Sequence, residues 1–230
     1  MASPRTSLTA SEVVAALRDA ADPTRLPGMA RVGIDTTHAL GVSVPNIRKI
    51  AKRAGSDRAL AEDLWATGIH EARMVAALVV DVGRLSFMRM EAWAGDLDSW
   101  DVTDMVAGTF ATGRHADRAI QVWSQAAHGF TRRCAFAMIA HLAVSSDRTD
   151  AAFRDLFPLI RAAATDERNE VKKAVNWALR QIGKRNLALH AAAIDQAASL
   201  LALEDRTARW IARDALRELR DPKIVARISR

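Results

Sequence analysis

The sequence predicts an all-α fold of HEAT-like repeats, an α-α superhelical solenoid with a concave basic face. Three observations carry this expectation. Apolar residues recur at three- and four-residue spacing in VVAALRDA, ALAEDLWA, EARMVAALVV, CAFAMIAHLAV and AVNWALRQI, and no stretch sustains an alternation of period two. The 11 Gly and 6 Pro fall mostly between these stretches, at PTRLPG (23–28), Gly55, Gly68, Gly83, Gly95, Gly113 and Gly129, as short helices joined by short loops require. One pattern also returns: HEARMVAALVV from His70, TRRCAFAMIAHL from Thr131, VKKAVNWALRQI from Val171 and RWIARDALREL from Arg209 each set basic residues ahead of an apolar stripe. The last three begin about 40 residues apart, the unit length of helical pairs whose apolar faces are buried only by stacking on neighbours.

Taken in chain order, residues 1–8 precede the first periodic segment and are expected to be flexible, within one repeat domain spanning 1–230. SFMRMEAW (86–93) carries Met and aromatic residues at helical spacing and is expected to pack between repeats. GDLDSWDVTDMVAGTF (95–110) reads as a helix start, with Asp98 or Ser99 as cap and Asp101 in the first turn, where the positive helix end accounts for a carboxylate. RELRDPKIVARISR closes the chain as a basic capping helix.

Charge points to the partner class. Lys and Arg number 33 against 27 Asp and Glu, a formal charge of +6 with a pI near 10.2, which favours a polyanion and nucleic acid first. If the second helix of each pair lines the concave side, Arg73, Arg132, Arg133, Lys172, Lys173, Arg209 and Arg213 lie along one surface suited to a duplex backbone. Each taken alone is equally an ordinary solvated helix position, and their recurrence in each repeat is what argues for the surface.

Other chemistries find little support. A lone cysteine, Cys134, excludes an internal disulfide and fits a reducing cytoplasm. The first dozen residues lack an apolar core and no run of 18 uncharged apolar residues follows, so a soluble cytoplasmic protein, a monomer without membrane contact, is expected. His38, His70, His115, His128, His141 and His190 show no ligand spacing, which predicts no metal, and they are expected at the surface or satisfied in the core. No glycine-rich phosphate loop or nucleophile elbow occurs.

The pair with most chemical content is Trp100 and Asp104. Four residues apart, they project from one helix face and place an indole plane beside a carboxylate. Such a pair suits a cationic substrate: the ring attracts positive charge, and the carboxylate stabilises charge that grows as a bond breaks. An N-alkylated purine and the oxocarbenium-like sugar it leaves are both cationic, and a carboxylate can also orient water. Packing of the indole under the next helix, with Asp104 a solvated acid, explains the same spacing. Trp177, behind the Lys172–Lys173 pair, offers a second aromatic wall or a core residue.

SWDVTD (99–104), TRRCAF (131–136) and KKAVNWALR (172–180) resemble the motifs of the AlkD-like DNA glycosylases, HEAT-like repeat proteins of DNA alkylation repair, in the same order along the chain. GMARVGIDTTHALGVSVPNIRKIAK (28–52) is similar to that family's N-terminal region, and the similarity extends over about four fifths of the chain. The resemblance implies Asp104, Trp100 and Trp177 as catalytic residues, Asp104 being the essential one. It implies Arg133 near the lesion and backbone, and Arg48 on the backbone. With the concave-face residues Arg73, Arg132, Lys172 and Lys173, and Arg180 from the KKAVNWALR motif, these make up the expected DNA-binding set. It further implies a monofunctional enzyme that hydrolyses N3- or N7-alkylated purines such as 3-methyladenine and 7-methylguanine from double-stranded DNA, for base excision repair. No cofactor is implied, nor a pocket for an extruded base. One departure stands out: a member of the resembled family carries a tyrosine after the Met-Ala-Arg that here precedes Val32, and the sequence contains no Tyr. Two alternatives stay open, a non-catalytic repeat protein that binds damaged or branched DNA and a scaffold that grips a protein partner.

Overall fold

The computed structural model describes residues 8–229, in which every regular element is helical. Helices α1 (Ala10–Asp19), α2 (Leu26–Arg31), α3 (Val44–Ala54), α4 (Arg58–Ala66) and α5 (His70–Val79) form the first part. There follow α6 (Phe87–Gly95), α7 (Trp100–Phe110), α8 (Ala116–Trp123), α9 (Gly129–Ser145), α10 (Asp150–Arg154) and α11 (Phe157–Ala163). Then come α12 (Asn169–Gly183), α13 (Leu187–Leu201), α14 (Arg206–Leu219) and α15 (Pro222–Ile228). The stretch expected to be flexible lies outside the described residues except for Leu8, which packs against the core.

The helices stack as a solenoid. One row runs α3, α5, α7, α9, α12, α14, each packed on the next, while α4 backs α5, α8 backs α9, α11 backs α12 and α13 backs α14. The four segments that repeat in the sequence are α5, α9, α12 and α14 of this row. It also takes in α3 and α7, which the recurring sequence pattern did not include. Residues of α3, α5, α7, α9 and α12 share one open cleft, so this row forms the groove side.

Packing explains why the row closes. Helix α9 buries Thr131 and every residue from Arg133 to Ala140, so it is apolar nearly all round, as a helix enclosed by neighbours must be. Its alanines and those of α12, Ala174 and Ala178, let the two backbones approach. Gly183, at the end of α12, meets Ala193 of α13 and Leu219 of α14, where a Cβ would lie 2.8 Å from both side chains. One core of buried residues runs from Val13 to Leu219. In the outer row Trp65 and Trp93 stack at 4.2 Å between centroids, and Trp93, Phe110 and Trp123 continue the aromatic layer.

Several local expectations change. PTRLPG is not a loop: Pro23–Arg25 forms a 3-10 turn and Pro27 sits in the first turn of α2, where proline's missing N–H costs nothing. SFMRMEAW does pack inward through Phe87, Met90 and Trp93, but Met88 points to solvent. The terminal helix breaks at Asp221, whose side chain caps α15, because Pro222 cannot continue α14.

The N-terminal segment is tied down by Glu71. This carboxylate, 1% exposed at the start of α5, accepts from the amides of Leu40, Gly41 and Val42. Three amides on one buried carboxylate satisfy a charge that would otherwise be costly. Gly41 allows the turn: its φ is +77°, and a Cβ there would lie 2.2 Å from the Asp22 carbonyl oxygen.

Candidate active site

Trp100 opens α7 and Asp104 follows one turn later, in a helix that buries Val102, Thr103, Val106, Ala107 and Phe110. Ser99 is the N-cap residue, yet neither it nor Asp98 caps the helix with its side chain. The Ser99 hydroxyl donates to Asp101, and the Asp98 carboxylate takes Arg73. Asp101 does more than complement the helix end: its Oδ2 lies 2.9 Å from His70 Nε2 at the head of α5. Although burial disfavours the charged imidazole, the Asp101 hydrogen bond and charge raise the His70 pKa above its ordinary value. Although burial opposes it, bonds from His70, Ser99 and the Val102 amide hold the Asp101 carboxyl below the usual range. The result is a partly buried hydrogen-bonded pair that pins the first turn of α7, and with it Trp100, to the preceding repeat.

Asp104 is held from behind. Arg133 of α9 donates to its two oxygens in parallel, Nε to Oδ1 at 2.9 Å and Nη2 to Oδ2 at 2.7 Å, and its Nη1 donates to the Glu170 carbonyl of α12 at 2.9 Å. The guanidinium is almost wholly buried, whereas the Asp104 side chain keeps 22% exposure toward the groove. Burial pushes the Asp104 carboxyl up, with Arg133 pulling the other way, and the two N–H donors fix the orientation of the carboxyl group. Cys134 sits buried behind this pair, and burial pushes its thiol up, so it offers no thiolate.

His141, two turns along α9 from Arg133, lies with Nε2 3.0 Å from the Asp104 carbonyl oxygen and its ring edge-on to Trp177 at 5.2 Å between centroids. Trp100, Asp104, Met105, Gly108, His141 and Trp177 therefore line one cleft of about 500 Å³, closed on its far side by Met74, Leu78 and Arg48. Trp100, 37% exposed, also walls a second cleft of about 410 Å³ with Val32, Gly33, Phe130, Arg133 and Lys173. The exposed Val32 thus lines the same cleft as Trp100.

The site brings together Trp100, Asp104, Trp177, Arg133 and Arg48. The remaining basic residues divide. Arg73 donates to the Asp96 carbonyl and to Asp98 and lies over the Trp65 ring, Arg132 donates to the Ser124 carbonyl and Asp166, and Arg180 pairs with Glu218. Arg209 donates to the Leu203 carbonyl. These arginines, expected along a binding surface, hold acceptors within the protein, the carbonyls and carboxylates of an adjoining loop or repeat. Arg48, Lys173 and Arg213 are exposed and make no hydrogen bond or ion pair with the described residues, and Lys172 places Nζ 5.2 Å over the Trp210 ring. Among the described residues no His, Cys, Asp and Glu cluster is arranged to hold a metal, and no helix is long and apolar enough to cross a membrane.

His70 and His141 were not singled out by sequence reasoning. The available signal was weak: a glycine, Gly108, inside an otherwise good helix, which the structure explains by the His141 ring packed against it.

Comparison with known proteins agrees with this architecture. A protein of a family related to the HEAT-like repeat DNA glycosylases, with affinity for branched DNA structures, superposes at a TM-score of 0.75 with 18% identity over 92% of this chain and 95% of its own. A designed armadillo repeat protein aligns at 15% identity with a TM-score of 0.39, over 92% of this chain and all of its own. No curated protein matches the sequence significantly. The profile of the DNA alkylation repair enzyme family matches residues 13–219, nearly the whole of the chain, and the chain belongs to that family.

Proposed function

We propose that the protein is a monofunctional DNA glycosylase that hydrolyses the N-glycosidic bond of cationic N3- or N7-alkylated purines in double-stranded DNA. The observation that carries this reading is Asp104, an ionised carboxylate fixed by a buried bidentate arginine and presented to a groove between two tryptophans. A carboxylate so held cannot swing away, and its charge is oriented before any substrate arrives.

The chemistry follows from the substrate's charge. The C1′–N bond breaks with its electron pair leaving on the purine, which becomes neutral, while positive charge develops on the deoxyribose. Asp104 stabilises that charge, and the faces of Trp100 and Trp177 add the attraction of their quadrupoles. Water oriented by Asp104 attacks C1′, its proton passes to the carboxylate or to solvent, and an abasic site remains. Since the leaving base already carries positive charge, no strong general acid is required. Arg48, Lys172 and Lys173 hold the phosphate backbone, so binding weakens steeply with salt.

A second reading is favoured by Val32. The aliphatic side chain beside Trp100 removes an aromatic contact from the site, and the similar solved protein has affinity for branched DNA structures. Binding without excision is then the function. Incubation of wild-type protein with alkylated duplex and with a branched duplex separates the two: release of free alkylpurine establishes the glycosylase, and tight salt-sensitive branch binding without base release establishes the alternative.

A further inference from the structure

Asp104 and Trp177 line one cleft from α7 and α12, each of which packs on α9. Helix α9 lies between α7 and α12, and two of its residues bridge them. Arg133 joins the Asp104 carboxylate to the Glu170 carbonyl. His141 joins the Asp104 carbonyl to the Trp177 ring. We propose that His141 is a positioning residue: its imidazole sets the distance and angle between the carboxylate and the Trp177 face.

Three constraints define the imidazole's place. A carbonyl oxygen only accepts, so Nε2 must carry the proton that it donates to Asp104, which fixes the tautomer and the ring plane. The Trp177 ring meets the imidazole at an interplanar angle of 75°, an edge-to-face arrangement that a ring of this orientation specifies. Gly108, one turn after Asp104, completes the seat: a Cβ there would lie 3.2 Å from His141 Cε1 and 3.4 Å from Nε2. A glycine inside a helix is less favourable than alanine, and here it makes room for the ring. His141 thus touches α7 on two sides and α12 on a third, and an error in its placement passes directly to Trp177.

The catalytic consequence rests on the glycosylase reading above, but the positioning itself does not. Protein labelled with 5-fluorotryptophan gives a Trp177 fluorine resonance, assigned by its loss in Trp177→Phe. Gly108→Ala crowds the imidazole, which must shift by a few tenths of an ångström, and His141→Phe keeps an aromatic edge but removes the N–H donor. Both are expected to shift the Trp177 resonance. Both should also lower the single-turnover rate of base release at saturating enzyme by on the order of ten- to a hundredfold, the usual effect of a misplaced reacting group, with affinity for undamaged duplex within about twofold of wild type. His141→Gln, whose amide restores a donor at the Nε2 position, should recover part of the rate lost in His141→Phe. An unmoved Trp177 resonance in folded Gly108→Ala and His141→Phe overturns the proposal. So does a wild-type rate in both, or a loss that falls entirely on duplex affinity. If wild-type protein releases no base, the glycosylase reading fails, and the fluorine resonance still decides the role of His141.

Discussion

Replacing Arg133 by Gln separates what the buried pair does for the fold from what it does for the site. The change removes the two N–H donors on Asp104, at 2.9 and 2.7 Å, and the one on the Glu170 carbonyl. Breaking a buried ion pair from one side costs about 3–5 kcal/mol, because the other charge is left without its partner. The orphaned Asp104 keeps 22% side-chain exposure, so water takes up part of its charge. This places the expected loss at the low end, about 3 kcal/mol. For a chain of this size that is a fall in Tm of about 6–12 °C, read by circular dichroism. The pH profile gives an independent readout. Burial already pushes the Asp104 carboxyl up and Arg133 opposes it, so without the guanidinium the pKa rises further. Activity that needs the ionised carboxylate is lost as pH falls through that pKa, so the acid limb of base release should move to higher pH in Arg133→Gln. A Tm within about 2 °C of wild type, or an acid limb that stays in place, would refute this account of the pair.

Three further outcomes follow from the geometry. The His70–Asp101 pair should make stability pH-dependent in a defined window. The raised His70 pKa gives a contribution complete below 6.5 and lost as pH rises through the raised value; the lowered Asp101 pKa gives one complete above 3.8 and lost as pH falls through the lowered value. Urea unfolding at pH 5.5 and 8.5 should therefore show a larger difference in wild type than in His70→Gln. Gly41→Ala should cost more than about 2 kcal/mol in the same assay, since it combines a left-handed φ with a Cβ driven into the Asp22 carbonyl. Arg48→Ala and Lys173→Ala should each weaken duplex binding and flatten its logarithmic salt dependence by about one, whereas Arg132→Ala should lower stability and leave that slope unchanged.

The helical repeat was legible in the sequence because its cause is local: apolar residues at three- and four-residue spacing in α5, α9, α12 and α14 must be buried on a neighbour. The pairing of Trp100 with Asp104 was legible for the same reason, being set by helix geometry within four residues. What joins the site together was not. Arg133 and Asp104 are 29 residues apart, and His141 and Trp177 meet across two helices, so both contacts depend on how the repeats stack. The basic residues were legible only as cations. Arginine at a recurring position marks a groove-lining cation or a clamp on a neighbouring loop or repeat equally well. Arg73 and Arg132 stand at that position and Arg180 outside it, and all three hold carbonyls or acids that nothing in the local sequence couples to them. Asp101 was similarly ambiguous, since a first-turn acid complements any helix start, and only the position of His70 on the preceding repeat gave it a partner.

The central claim is that Asp104 supplies the charge that lets a cationic purine leave. Single-turnover release of 7-methylguanine or 3-methyladenine from a duplex, measured for wild type and Asp104→Asn at saturating protein, tests it most directly. Because Asn leaves Arg133 unpaired, the assay temperature must lie well below the melting point of the variant. Wild type should release the base steadily, and Asp104→Asn should lose at least about a hundredfold in rate with duplex affinity retained. Equal release by the two folded proteins would contradict the claim.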